Sequence, residues 1–148
     1  MTPFARSFSR RDTARAMSQE NVDLVRRGFA GTTAGDFSYL SDAIHEDCEF
    51  RLPPDFPGTQ DARGAEGFLS VVREFEDVFD DTRYEPEDFV DQGDRLFVAV
   101  RTTGRAKHTG IPLDVFLYWV YTFREGKVVK MWAFLDRAAA LEAVGLSE

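Results

Sequence analysis

The spacing of the apolar residues changes from mainly helical to mainly strand-like near residue 80, and this change constrains the fold more than any other feature. Before it, apolar side chains recur every three or four residues, as Phe68, Val72, Phe75 and Phe79 do, which predicts helices. After it, apolar and polar residues alternate with a period of two, which indicates strands. Helices followed by a run of strands are typical of an α+β fold, in which the helices pack on one face of a sheet.

Residues that commonly cap helices mark the predicted helix boundaries. Ser18 predicts the start of a first helix, and Asp36 predicts the start of a short second one. The third and most regularly patterned helix is predicted for Gly64–Asp80. Asp136 and Gly145 mark the two ends of a closing helix.

The strands are predicted between turns that contain glycine or proline. Five segments have the required pattern: Cys48–Leu52, Tyr84–Val90, Leu96–Lys107, Leu113–Phe123 and Val128–Leu135. The segment Asp55–Arg63 is predicted as a loop, because it contains Pro57 and Gly58.

The length of 148 residues suits one domain. Residues 1–16 differ from the rest, because they carry four arginines against one aspartate. A start that is rich in arginine and poor in acids is also seen in transit peptides. We favour a disordered tail, or a non-native extension upstream of Met17, followed by a single domain at residues 17–148.

The charge and the cysteine content exclude several classes of partner. A net charge of -8 repels phosphate groups, so we expect neither a nucleic acid nor an anionic membrane as partner. No apolar run reaches the roughly 18 residues that span a bilayer. One cysteine, Cys48, and two separated histidines give no disulfide and no zinc-type spacing. We therefore expect no metal, no cofactor and a reducing, cytoplasmic location.

Short motifs follow one another in a recognisable order along residues 18–146. They are Ala34-Gly35-Asp36, Asp47-Cys48-Glu49-Phe50 at the entry to a strand, the hairpin Thr122–Val129, and the tail Phe134–Leu141 closing on Ala143–Leu146. In these motifs the chain resembles the SnoaL-like, polyketide cyclase-like branch of the nuclear transport factor 2-like superfamily. The resemblance implies a cone-shaped, curved, mixed or antiparallel sheet wrapped around about three N-terminal helices, with a short C-terminal helix.

The same resemblance allows three known catalytic arrangements to be tested on this sequence. The ketosteroid isomerase base and oxyanion donors fall near Leu52, Gly28 and Trp119, none of which has the required chemistry. The Asp-Arg-Asp relay of limonene epoxide hydrolases keeps only an arginine, Arg101. The acid–base pair of the polyketide cyclases falls near Ala133 and Trp119. The resemblance therefore supports the fold better than any of these activities.

The superfamily places a ligand pocket on the concave face of its sheet, and the strand alternation assigns residues to that face. Leu117, Trp119 and Tyr121 share it, with Met131, Ala133 and Leu135 beside them. With apolar residues of the helices, this gives a predicted ligand-binding set of Phe29, Tyr39, Phe68, Val72, Phe75, Trp119, Tyr121 and Met131.

Catalysis would require a buried titratable group in that pocket. The candidates in the sequence are Asp88, Arg101, Asp114 and Tyr121. The register of the strand that holds Arg101 leaves two readings open, a pocket residue and a residue on the solvent or dimer face, because a slip of one residue reverses the face.

The opposite, convex face of the sheet carries a large aromatic surface, made of Phe116, Tyr118, Val120, Trp132 and Phe134. Monomers rarely expose so much contiguous apolar area, so we expect a homodimer through this surface. The alternative is that another part of the chain, such as the N-terminal arm, covers it.

Three functions remain open from the sequence. The first is a binding domain for a small hydrophobic, ring-containing molecule. The second is a cofactor-free isomerase, cyclase or hydrolase that acts on a polycyclic or terpenoid substrate. The third is a scaffold whose convex face binds another protein.

Overall fold

The computed structural model of the protein describes residues 10–54 and 61–145. In chain order, its helices are α1 (Arg10–Ala34), α2 (Leu40–Ala43), α3 (Gly64–Val78) and α4 (Arg137–Ala143). Its strands are β1 (Ile44–Arg51), β2 (Asp61–Arg63), β3 (Phe79–Gln92), β4 (Arg95–Ala106), β5 (Pro112–Arg124) and β6 (Lys127–Phe134). Helices therefore precede most of the strands, as the change of period predicts.

The strands form one mixed sheet in the order β2-β1-β6-β5-β4-β3. β1 runs parallel to β6, and the other neighbours are antiparallel. Register shifts interrupt β1 against β6, β3 against β4 and β5 against β6. Such irregularities bend strands and increase their twist, so they favour a curved sheet. The α+β fold and the mixed sheet are as predicted.

The two faces of the sheet support two separate apolar clusters. On the concave face, α1 and α3 pack against side chains that include Val98, Val100 and Leu117. On the convex face, Leu141 of α4 packs against a smaller cluster that includes Phe97. The space for a ligand lies on the concave side, where the two long helices meet the sheet.

The first helix and the first strand differ from their predicted limits. α1 begins by Arg10, so Ser18 is not its N-cap. Residues 10–16 of the predicted tail are therefore helical, and residues 1–9 lie outside the described residues. β1 begins at Ile44 rather than Cys48. β2 was not predicted, and it pairs with β1 within the segment predicted as a loop.

The closing helix α4 is confirmed, with Asp136 as its cap. The Asp136 carboxylate accepts a hydrogen bond from the Ala138 backbone N–H at 3.1 Å. Gly145 has a φ of 90°, a conformation that suits glycine at a helix end. Leu135 was predicted on the concave face, but it follows β6 and is 44% exposed.

The predicted dimer surface on the convex face is partly covered by the chain itself. α4 packs over Val120, which is 5% exposed, and against Tyr118 and Phe134. Among the described residues, the segment that covers this surface is therefore the C-terminal helix α4. Arg51 stacks on the Trp132 ring at 4.4 Å, and Phe116 stays 38% exposed. Val120 is thus unavailable to a partner, whereas Phe116 is accessible.

Among the helices that the structure describes, none combines the length and the apolar character that crossing a bilayer requires.

Candidate functional site

A cavity of about 80 Å³ lies between α1, α3 and the concave face of the sheet. The residues that line it come from the first three helices, from β1, β3, β5 and β6, and from the segments that follow α1 and β1. Among the described residues they are Leu24, Val25, Gly28, Phe29, Thr32, Tyr39, Ala43, Ile44, Leu52, Phe68, Val71, Val72, Phe75, Tyr84, Leu117, Trp119, Tyr121, Val128 and Met131. The members on the sheet are mostly buried, whereas Leu24, Val71 and Phe75 on the helices are partly exposed. The helix side therefore forms the opening of the cavity.

The structure brings together the full predicted ligand-binding set. Phe29, Tyr39, Phe68, Val72, Phe75, Trp119, Tyr121 and Met131 all line this one cavity. The strand register explains why, because Trp119 pairs with Ala133 and Tyr121 pairs with Met131 across β5 and β6. These side chains consequently share the concave face.

Sequence reasoning missed two polar members of the lining, Thr32 and Tyr84. Thr32 follows Phe29 by three residues, so the helical spacing was a usable signal. Tyr84 lies on β3 between two register shifts, at Asp80–Arg83 and at Pro86–Asp88. Those irregularities interrupt the alternation, and the face of Tyr84 was therefore not readable from the sequence.

Aromatic rings surround the inner end of the cavity. The Phe29 ring centroid lies 6.5 Å from that of Trp119, 6.3 Å from that of Tyr121 and 6.4 Å from that of Tyr84. Trp119 and Tyr121, two residues apart on β5, are 6.5 Å from each other. Rings at such separations form favourable tilted or edge contacts, and together they give an apolar wall with a few polar atoms.

The polar atoms of the lining belong to three tyrosines, one tryptophan and one threonine. The Thr32 hydroxyl donates to the Gly28 carbonyl at 2.9 Å and lies 2.7 Å from the Tyr39 hydroxyl. The Nε1 atom of Trp119 is buried and has no hydrogen-bond partner among the described residues. Tyr121 is 4% exposed.

Burial keeps the cavity phenols protonated. The pKa of Tyr121 is raised well above its usual value, chiefly because desolvation disfavours the phenolate. The same cause raises the pKa of Tyr84 and the pKa of Tyr39, where the Thr32 hydrogen bond partly opposes it. Behind the wall, burial raises the pKa of the Cys48 thiol to about 12. None of these groups is a base near neutral pH.

Three of the four catalytic candidates lie on the convex face and away from the cavity. Arg101 pairs with the exposed Phe116 on β5, between the buried neighbours Val100 and Thr102. Its guanidinium donates two hydrogen bonds to Asp114, at 3.0 and 2.7 Å. This pair holds the pKa of Asp114 below its usual value, through the hydrogen bond first.

Asp88 forms an ion pair with Arg137 of α4 at 3.0 Å and is 52% exposed. In the structure, Asp88, Arg101 and Asp114 therefore face away from the cavity. Tyr121 is the candidate that lies in the cavity. In the described part of the chain, no group of three acidic, histidine or cysteine side chains is arranged to hold a metal ion.

Comparison with known proteins agrees with this architecture. The family model of the SnoaL-like domain matches residues 25–131. No curated protein matches the chain significantly in a sequence search.

Solved structures share the fold over nearly their full lengths. An NTF2-like protein of Burkholderia xenovorans LB400 is 29% identical and covers 86% of this chain and 97% of its own, with a TM-score of 0.69. IdmH of Streptomyces antibioticus, a proposed polyketide cyclase, is 24% identical, with coverage of 85% and 99% and a TM-score of 0.66. TerC, crystallised with polyporic acid, is 22% identical, with coverage of 85% and 98% and a TM-score of 0.70.

The family model spans α1 from Val25, the whole of α3 and the strands as far as Met131. These are the elements that enclose the cavity. The chain therefore belongs to the SnoaL-like domain family and has its NTF2-like α+β fold.

Proposed function

We propose that the protein binds a small, neutral, hydrophobic, ring-containing molecule in the cavity and does not convert it by acid–base chemistry. The observation that carries this proposal is the composition of the lining. Within the described residues, no carboxylate, imidazole, amine or guanidinium lines the cavity. General acid–base catalysis needs a group that exchanges protons near the working pH, and phenols with a raised pKa do not.

The size and polarity of the cavity define the ligand further. Its volume of about 80 Å³ is well below the roughly 300 Å³ at the lower end for drug-sized ligands. A single small ring is therefore favoured over the polycyclic substrate of the enzyme hypothesis. A charged ligand would lose its hydration without gaining an opposite charge, so a neutral one is favoured. The co-crystal structure of TerC with polyporic acid supports small-molecule binding by this fold.

Binding is tested with two ring compounds of similar size, neutral acetophenone and anionic benzoate, by isothermal titration calorimetry. We expect acetophenone to bind and benzoate not to bind. Val71→Trp, at the opening, should block acetophenone. Val78→Trp is the matched control, because Val78 lies on the same helix, is 40% exposed and does not line the cavity. Equal binding of benzoate, or equal effects of the two variants, would contradict the proposal.

The absence of acid–base turnover has its own test. A base in the cavity would accelerate exchange of the acetophenone methyl hydrogens in deuterated water, because those hydrogens are acidified by the carbonyl. We expect NMR to show the same exchange rate with and without the protein at saturating occupancy. Faster exchange that Val71→Trp abolishes would favour the enzyme hypothesis instead.

We also propose that the accessible part of the convex face pairs with a second copy, in a reducing compartment such as the cytoplasm. Support comes from Phe116, which is 38% exposed and continues the aromatic row through Tyr118, at 6.2 Å. The lone cysteine supports the compartment. Light scattering after size exclusion should give a dimer mass that Phe116→Glu reduces to a monomer. A monomeric wild type would end this proposal and leave the cavity proposal untouched.

A further inference from the structure

The inner wall of the cavity is shielded from solvent. Leu117, Trp119 and Tyr121 on β5 are 3%, 8% and 4% exposed, although all three line the cavity. A ring compound therefore reaches this wall when an element that covers it moves. Among the described residues, the long helices α1 and α3 lie over the wall, so the attachment of each helix to the rest of the fold decides which of them moves more easily.

Helix α3 is held by the sheet at both ends. It begins at Gly64, directly after β2, and ends at Val78, directly before β3, so no loop separates it from either strand. Both strands are hydrogen-bonded within the sheet. The Val78 carbonyl also accepts a hydrogen bond from the Lys107 backbone N–H at 2.9 Å. Movement of α3 would break backbone hydrogen bonds, so α3 is the fixed side of the cover.

Helix α1 is joined to other segments by hydrogen bonds in its last turn. The Gly31 carbonyl accepts from a backbone N–H of the segment that follows the helix, at 2.8 Å. The Thr32 hydroxyl lies 2.7 Å from the Tyr39 hydroxyl, and the Thr33 hydroxyl accepts from the Tyr84 backbone N–H at 3.1 Å. Between described residues, the side-chain hydrogen bonds of the earlier turns stay within the helix.

The earlier turns of α1 are held on the sheet by contacts of another kind. Leu24 and Val25 line the cavity through apolar packing. The Arg26 guanidinium lies over the Phe89 ring of β3, 4.5 Å from its centroid. Separation of such contacts leaves no backbone hydrogen-bonding group without a partner, so it costs less than movement of α3.

We propose that α1 is the moving wall of the cavity: it swings about its last turn to admit a ligand, and the contact between Arg26 and Phe89 is the latch that holds it closed. The inference rests on the proposed function, because a ligand that occupies the cavity has to enter it. It adds the route of entry and names the contact that controls it.

Entry into the cavity is measured with a thiol in its inner wall. The reporter is Leu117→Cys in a Cys48→Ala background, which leaves one thiol in the chain, and the reagent is methyl methanethiosulfonate. Arg26→Ala should raise the labelling rate roughly two- to fivefold, the change in open population that loss of one exposed cation–π contact produces. Arg27→Ala is the matched control and should leave the rate unchanged, because the Arg27 hydrogen bond to the Asp23 carbonyl stays within the helix.

Cys48 separates entry from unfolding of the domain. In the chain without the Leu117 substitution, this thiol is 0% exposed and does not line the cavity, so it reports on opening of the core. Arg26→Ala should accelerate labelling of Cys48 less than labelling at position 117. Equal acceleration at the two positions would overturn the latch, because Arg26 would then stabilise the fold as a whole. Val128→Cys, in the same buried wall, replaces the reporter if Leu117→Cys does not fold.

A ligand gives a second readout. Arg26→Ala should raise the association and dissociation rate constants of acetophenone by the same factor and leave its Kd unchanged, because the latch controls opening in both the free and the bound protein. NMR line shapes give both rate constants.

The outcomes separate the two proposals. A labelling rate at position 117 that Arg26→Ala leaves unchanged, or that Arg27→Ala raises equally, overturns the moving helix and leaves the proposed function standing. Labelling as expected in a protein that does not bind acetophenone supports the movement of α1 and overturns the proposed function.

Discussion

The segment that follows α1 folds back close to Gly31 of that helix. A Cβ atom at this position would lie 2.6 Å from the Asp36 carbonyl oxygen and 2.9 Å from the Tyr39 ring. Glycine is thus required here by proximity to the backbone, not by an unusual φ. The close approach also places Tyr39 within hydrogen-bond distance of Thr32 and so fixes one side of the cavity.

The pair Gly31→Ala and Gly28→Ala tests this close approach. Both residues are in α1, where alanine is favoured over glycine by roughly 1 kcal/mol. At Gly28, a Cβ would make an ordinary 3.5 Å contact with Tyr39, so the variant should gain stability. At Gly31 the backbone must move, and we expect a net loss of roughly 1–3 kcal/mol in the free energy of unfolding. Urea denaturation measures the stability of both variants. A Gly31→Ala variant that is more stable than wild type would contradict the close approach at Gly31.

Cys48 reports directly on opening of the core. Its side chain is 0% exposed, and burial raises its thiol pKa to about 12, so both access and ionisation are suppressed. We expect Ellman's reagent to modify the native protein at least about a thousandfold more slowly than the urea-unfolded chain. Because the chain has one cysteine, any labelling belongs to Cys48. Rapid modification under native conditions would show that β1 opens locally.

At the level of elements, the segments with a regular apolar spacing could be predicted from the sequence. Strand residues that depend on pairing with a distant strand were missed. α3 and β4 to β6 begin within one residue of their predicted positions, because their own apolar spacing defines them. β1 begins four residues early, and its added residues His45, Glu46 and Asp47 have no strand pattern. They lie between Ile44 and Glu49, which pair with Val128 and Lys130 of β6, and these tertiary contacts are not encoded by local spacing.

Arg137 adds polar contacts to the apolar packing that docks α4 on the sheet. Arg137 forms an ion pair with Asp88 at 3.0 Å, and its guanidinium lies 5.0 Å from the centroid of Phe97. Because it joins α4 to two strands and to an aromatic ring, Arg137→Ala should lower the free energy of unfolding by about 1 kcal/mol. Arg101→Ala removes an ion pair between two strands that are already hydrogen-bonded, and it should change stability less. Chemical denaturation measures the free energy of unfolding of both variants. Equal losses in the two variants would rule out a special role for Arg137.

At the scale of the whole molecule, the apolar wall of the cavity could be predicted from the sequence. The positions of the charged and hydrogen-bonding groups could not. Alternation along β5 and helical spacing in α3 gave the apolar residues, because each depends on a local period. The outward position of Asp88 depends on a register shift in β3, which no local pattern shows. The hydrogen bond between the Thr32 and Tyr39 hydroxyls forms because two segments of the chain meet at Gly31, and this contact is also not visible in the sequence.

The buried phenols make the stability of the whole domain sensitive to alkaline pH. The folded-state pKa of Tyr121 is raised by burial above its unfolded value of about 10. The stabilisation from keeping this phenol neutral is complete below about pH 10 and is lost as the pH rises towards the folded-state pKa, because the unfolded chain ionises first. Phenolate absorbance and circular dichroism should therefore change together, as a cooperative alkaline unfolding.

Tyr121→Phe should move the midpoint of this alkaline transition to higher pH, because one group that ionises only on unfolding has been removed. The shift should be partial, since Tyr84 and Cys48 also have raised pKa values in the same core. Tyr118→Phe, which removes a phenol from the convex face, is the control for loss of a tyrosine as such. If Tyr121 titrated gradually while the circular dichroism stayed native, its hydroxyl would be in contact with solvent and the cavity would be open at its inner end.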